Sequence, residues 1–462
     1  MQNPKEIKRI PLKEKIAYGL GDVGNNFLFD LGQIYLLKFY TDSLGIPAAA
    51  AATLFLVTKI LDGFTDVAVG TWVDHRKKYG KLGKFRSFMI YAVPPLALCT
   101  AVSFYNPDFE VTGKIIWAYC SYAAFGLAYT MFNIPYGSMI PAMTKDPVER
   151  ASMASFREAG AKIGLGVTQI AFIPLVLFSS NLFGEKYSFF AAAAVFAVAG
   201  CTMQMICTLN IRERHVEPPK PQRENVSLLK SYKAILKNSP LLVLSLVNLF
   251  TFSAFNVKLA VQPYFCEYVL HDLKFVSYAG SFQVVCLLVG IFCVKPLVRL
   301  YGKKATYIAG AAIWAIAELF AVFFANNLIT YIVFAGIAFF GSAFTNTLNW
   351  ALISDAVEYG EWKTGKRSEG VVYSFFTFFR KLSQAVAGFV PGVVLAMVGY
   401  VANTKQSPEA IQGIRGLMFI YPGAMAVATF VVMSLFYKLN DKRYKEIVRE
   451  LEDRKSVNID TI

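Results

Sequence analysis

The run TKILDGFTDVAVG places Lys59, Asp62 and Asp66 at i, i+3 and i+7, so the three side chains share one face of a helix. Two carboxylates about one turn apart offer hard oxygen ligands to a small cation, and equally make a pair in which one acid takes up a proton. A plainer reading joins Lys59 to Asp62 as a packing ion pair, which leaves Asp66 unexplained. A second stripe, Asp22, Asn26 and Asp30, recurs every four residues in YGLGDVGNNFLFD, and Gly19, Gly21 and Gly24 beside it would let another helix approach closely. Interhelical hydrogen bonding without a ligand is the alternative there. Tyr129 and Asn133 lie one turn apart ahead of Pro135, which frees a backbone carbonyl and kinks a helix. In SFREAGAKIG, Arg157 and Glu158 enter an apolar stretch. That guanidinium can fork onto a carboxylate, a sulfonate or sugar hydroxyls, or pair with an acid of another helix. Tyr373, Thr377 and Lys381 form a third stripe with Arg380 alongside, and Lys258 is a further base within AFNVKLAVQPYF. Glu267 and Glu318 read as ordinary acids near helix ends.

The surroundings are what make these charges informative. The 462 residues are 55% apolar, 15% aromatic and only 17% charged, with a mean hydropathy of +0.45. A soluble chain carries roughly a quarter charged residues. Runs of about 20 apolar residues read as membrane spans, here at 16–41, 48–73, 86–104, 114–141, 153–179 and 187–210, then 240–268, 276–299, 304–325, 328–354, 370–400 and 414–437. A polar break with three prolines, 212–238, separates six from six. The division is therefore 1–211, a central loop 212–238, 239–440 and a tail 441–462, the layout of a transporter built from two halves. The net charge of +15 is concentrated in alternate connections, at 75–86, around Lys145 and Arg150, at 212–237, at Lys303-Lys304 and at 363–367. This puts both termini in the cytoplasm and argues against nucleic-acid binding. Seven cysteines in apolar runs, without a CxxC pair, disfavour a disulfide framework and a zinc site. No HExxH, Walker or GxSxG motif supports an enzyme or ATP-driven transport.

The string LNWALISDAVEYGEWKTGKRSEG (348–370), the YGLGD opening, the Asp62/Asp66 pair and GTWVDHRKKYGKLGKFR (70–86) resemble the glycoside–pentoside–hexuronide:cation symporters, the melibiose-carrier family of the major facilitator superfamily. The resemblance covers essentially the whole chain. It implies a cation site from Asp62, Asp66 and Thr130, with Asn133 where the family has a further acid. Asn26 stands where an acid grips galactoside hydroxyls, Arg157 and Lys381 match a site arginine and lysine, and two sugar-stacking tryptophan positions fall at Gly137 and Asn346. Two acids exchanged for asparagine, with Arg157, Arg380 and Lys381 kept, make the cavity electropositive and favour an anionic substrate. YLLKFYTDSLG (35–45), AFFGSAFTNTLNWAL (338–352) and SEGVVYSFFTFFRKLSQAVAGFVPG (368–392) further resemble the bacterial sulfosugar branch, the carriers of sulfoquinovose and dihydroxypropanesulfonate. That branch lacks the acid equivalent to Asp62.

The resulting expectation is an all-α membrane protein of the major facilitator fold: twelve transmembrane helices in two six-helix halves, monomeric, in the bacterial inner membrane. It would carry a sugar with Na+ or H+ by alternating access, without a cofactor or structural metal. Asp62, Asp66 and Thr130 bind the cation. Asp22, Asn26, Tyr129, Asn133, Arg157, Asn346, Asn349, Trp350, Thr377, Arg380 and Lys381 hold the substrate. Asp74 with Arg76, and Asp355 with Lys363 and Arg367, form cytoplasmic gate contacts. The competing readings are an exporter or exchanger of a small sulfonate, a symporter of a neutral glycoside or pentoside, a sensor, a membrane enzyme and a lysolipid carrier.

Overall fold

In lipid, each backbone N–H and C=O must find its partner within the protein, and a helix does this inside one segment. The computed structural model accordingly is mostly helical along the residues it describes, 9–75, 82–215, 237–365 and 369–459. The long helices are α1 (Leu12–Ile34), α2 (Ala48–His75), α3 (Lys84–Ser103), α4 (Val111–Met143), α5 (Pro147–Phe183), α6 (Glu185–Asn210), α7 (Ser239–Tyr264), α8 (Phe275–Tyr301), α9 (Lys303–Phe324), α10 (Leu328–Thr364), α11 (Glu369–Met397), α12 (Tyr421–Leu435) and α13 (Asp441–Ile459). Among the described residues, ten spans are long and apolar enough to cross a membrane by length and composition, the one ending in α12 beginning at Pro408. The two others expected to cross, α1 and α11, are 23 and 29 residues long. They carry the Asp22–Asn26–Asp30 and Tyr373–Thr377–Lys381 stripes, which lower their apolar character.

The chain forms two compact units, residues 1–221 with 400–404, and residues 222–399 with 405–462. In the first, α1 packs between α5 and α6, and α4 packs on α2 and α3. Close approach is made by glycine: a Cβ at Gly160 would collide with the Gly19 carbonyl, and one at Gly24 with the Gly200 carbonyl. In the second, α10 packs on α8 and α9, while α7 packs on α11 and α12. α1, through the short helix Leu36–Lys38, and α7 each run on into a five-residue π turn, Phe39–Ser43 and Phe265–Val269. This is an internal echo that residue identities do not reveal.

Helix ends differ most from the hydropathy boundaries, because caps and charged turns lie outside an apolar window. α5 begins at Pro147 rather than 153, since the Asp146 side chain accepts from Val148 N at 3.0 Å and proline suits the first turn. α10 runs ten residues past 354 through Asp355, Glu358 and Glu361, until Gly365 turns left-handed at φ 71°. The last span is broken into Pro408–Arg415, a π turn Gly416–Ile420 and α12. The tail is a helix, α13, set against the end of α10: Trp362 Nε1 donates to Glu450 Oε2 at 2.6 Å, and Tyr444 donates to Glu358.

Candidate functional site

In the first unit the α1 stripe meets α4 and α5. Asp22 is only 5% exposed, and it accepts Arg157 Nε at 3.0 Å. The guanidinium lies over Tyr136, with Cζ 5.1 Å from the ring centroid, and Tyr136 stacks on Tyr18 at 4.6 Å. With Nε engaged, Nη1 faces Gly137, where a Cβ would stand 3.8 Å away. The Tyr18 hydroxyl also lies against this guanidinium, and an arginine anchored to an acid through Nε can still turn terminal N–H groups to another anion. Asn26 Nδ2 donates to the Asp22 carbonyl at 2.8 Å, within its own turn. Asn133 Oδ1 is buried with no hydrogen-bond partner among the described residues. Tyr129 Oη accepts from Asn25 Nδ2 at 3.0 Å, so Asn25 joins a cluster from which sequence reasoning had omitted it.

The carboxylates of α2 are satisfied separately. Asp66 Oδ1 accepts from Thr130 Oγ1 at 2.8 Å, whereas Asp62 Oδ2 receives Lys59 Nζ at 3.0 Å. The plainer Lys59–Asp62 pairing is therefore present. It does not consume the second acid, which turns to α4. Gly126 admits Asp62 to the same helix, because a Cβ there would collide with Asp62 Oδ1.

In the second unit Arg380 lies against two aromatic rings, its Cζ 4.8 Å from the Phe252 centroid and 5.9 Å from that of Trp350. Trp350 meets Phe376 edge-on at 5.6 Å. Thr377 is exposed and Lys381 half-buried on the same helix, α11. Asn346 Oδ1 is buried without a partner among the described residues. Asn349 is 1% exposed and accepts from Tyr307 Oη at 3.0 Å, which ties α10 to α9.

Two acids behave differently from the sequence reading. Glu318 is no ordinary end-of-helix acid: it is fully buried and takes Lys258 Nζ at 2.7 Å on both carboxylate oxygens, with Trp314 Nε1 at 3.1 Å on Oε1. The signal for this pair was available, since lone opposite charges at membrane depth in one half seek each other. Asp355 takes Lys303 Nζ at 2.7 Å on both oxygens rather than Lys363, which lies 5.9 Å from the Tyr359 ring centroid. Arg76, Arg367 and the side chain of Asp74 lie outside the described residues.

Helices of spanning length carrying paired charges at depth are the geometry of a membrane carrier. The model of the MFS/sugar transport protein family matches residues 17–441. The chain belongs to that family. It is a transporter and not an enzyme. The provisionally named 2,3-dihydroxypropane-1-sulfonate exporter of Escherichia coli (strain K12) is 46% identical over 97% of both chains. The provisionally named sulfoquinovose importer of the same organism is 45% identical over 99% of this chain and 97% of its own. Among solved structures, a bacterial homologue of the human lysosomal transporter Spinster superposes with a TM-score of 0.65 at 12% identity, covering 94% of this chain and 97% of that one. The likeness shows the shared fold.

Proposed function

We propose that this family member moves an anionic sugar, a sulfosugar such as sulfoquinovose, across the bacterial inner membrane in symport with Na+ or H+. The observation that carries this reading is Arg157, one-third exposed yet anchored through Nε to the buried Asp22. A guanidinium so held is pre-oriented, and its remaining fork suits a sulfonate or carboxylate. The relatives named for sulfoquinovose and dihydroxypropanesulfonate support the same class. In this reading Arg157, Arg380 and Lys381 hold the anionic group. Asp22, Asn26, Asn133, Asn346 and Asn349 bond hydroxyls, Tyr129, Trp350 and Thr377 complete the lining, and Asp62, Asp66 and Thr130 take the cation. Neutralising the α2 carboxylates favours the conformation that binds substrate tightly, which is the coupling. The basic loops support cytoplasmic termini, and a single chain suffices for the cycle.

A panel of sulfoquinovose, glucuronide, melibiose and dihydroxypropanesulfonate, each with and without Na+, tests it by ligand-induced thermal stabilisation of the purified carrier. An anionic sugar should raise the melting temperature and melibiose should not. Arg157→Ala should weaken that binding about ten- to a hundredfold, the equivalent of roughly 1.5–3 kcal/mol for a charged hydrogen bond, while Arg76→Ala leaves it near wild type. Equal effects would remove Arg157 from the site. The second reading, export of a small sulfonate, is favoured by the 46% identity to relatives of that name. A response to dihydroxypropanesulfonate alone would select it.

A further inference from the structure

Asp30 is the one member of the α1 stripe that neither the substrate set nor the cation set uses. It is 8% exposed, and its Oδ2 is buried without a hydrogen-bond partner among the described residues. None of the charged groups around it gives that oxygen a hydrogen bond among the described residues. Asp22, two turns earlier on α1, is already paired with Arg157, and Asn26 between them donates to a backbone carbonyl. Lys162 of α5 is the opposing charge that acts on Asp30, but its ammonium is bridged to Glu158 at 3.2 Å. The other helix packed on α1, α6, carries no charged residue after Lys186.

The register of α1 on α5 shows what else lies at this level. Gly19 sits opposite Phe156 and Gly160, Asn26 opposite Gly164, and Tyr35 Oη reaches the carbonyls of Thr168 and Gln169 at 3.4 Å. Asp30 therefore falls between Gly164 and Thr168. Thr168 Oγ1 and both polar side-chain atoms of Gln169 are buried and also lack partners among the described residues. Helix packing ordinarily satisfies buried polar atoms, and a group of them left open at one level is unusual. An isolated carboxylate away from water is costly unless a positive charge or donors compensate it.

We propose that Asp30 is a cation-binding carboxylate, a site separate from Asp62 and Asp66, with Thr168 and Gln169 supplying neutral oxygens at its level. The ligand chemistry is a small positive ion filling a buried acceptor, and a proton and Na+ are its two possible sources. The proposal does not rest on the proposed substrate or on the α2 pair, and its failure would leave both readings untouched.

The test follows the melting temperature of the purified full chain in two series: Na+ concentration at fixed pH, with choline keeping ionic strength constant, and pH at fixed Na+. Asp62→Asn/Asp66→Asn should retain a residual ion-dependent shift, in the sodium series if Na+ is the ligand and in the pH series if it is a proton. Adding Asp30→Asn should cut that residual shift at least fivefold. Asp30→Leu in the same background removes the carboxyl and fills the space with apolar atoms, so it should give a folded carrier equally blind to the ion. The proposal is overturned if the triple variants keep the residual shift of the double variant, or if the double variant responds to neither ion. A double variant with the full wild-type response would count against Asp62 and Asp66 while leaving the Asp30 comparison readable.

Discussion

Replacing Glu318 by leucine should be among the most damaging single changes in the second unit. Glu318 accepts two 2.7 Å contacts from Lys258 and one 3.1 Å bond from Trp314 at zero exposure. Without it the Lys258 ammonium keeps the Met418 carbonyl at 3.3 Å and the Phe419 ring at 5.1 Å. That carbonyl belongs to the π turn ahead of α12, and Pro422, four residues on, has no N–H to give it. Neither remaining partner neutralises a buried charge, and removing one member of a buried pair costs about 3–5 kcal/mol. In a unit of this size that corresponds to a fall in melting temperature of roughly 6–20 °C. The companion variant Lys258→Met/Glu318→Leu removes both charges and leaves apolar side chains of similar volume. Such exchanges are often neutral or stabilising by about 1–4 kcal/mol, so the double variant should recover most of the loss. The assay is a double-mutant cycle on apparent melting temperatures at fixed detergent and ligand. Equal losses in the single and double variants would refute the argument, because the penalty would then come from packing around α7, α9 and the α12 break rather than from an orphaned charge.

Gly126→Ala should displace Asp62, because the new methyl would collide with its Oδ1. The carboxylate is a movable side-chain end, so folding should change little while the apparent cation constant for substrate stabilisation rises several-fold; an unchanged constant would remove Asp62 from the cation set. Glu213→Ala should destabilise the first unit by about 1–2 kcal/mol as a lost helix cap, since its carboxylate accepts the backbone N–H groups of Lys84, Phe85 and Arg86 at 2.8 Å each. Thermal unfolding reads that loss, and substrate affinity should stay unaltered. Trp362→Phe should loosen α13 by removing the bond to Glu450, seen as faster protease cleavage of the C-terminal helix with the remainder of the carrier intact.

The sequence by itself determined the helices, most of their faces and the family. Hydrophobic runs must become self-satisfied helices in lipid, and the 3.6-residue period puts Asp22, Asn26 and Asp30, or Lys59, Asp62 and Asp66, on common faces whatever surrounds them. The string 348–370 and the α2 pair carried the family likeness. Only the tertiary structure decided who meets whom. Arg157 finds Asp22 across 135 residues, Lys258 finds Glu318 across 60 and Asp355 finds Lys303 across 52. A helix's own period fixes which side chains share a face. The partner opposite depends on how two helices are offset and how closely they approach, as where Gly19 meets Gly160 and sets the level at which α5 presents Arg157 to Asp22. The same dependence left Glu318 looking like an unremarkable acid, and it left Asp30 as the member of its stripe whose Oδ2 meets no hydrogen-bond donor among the described residues.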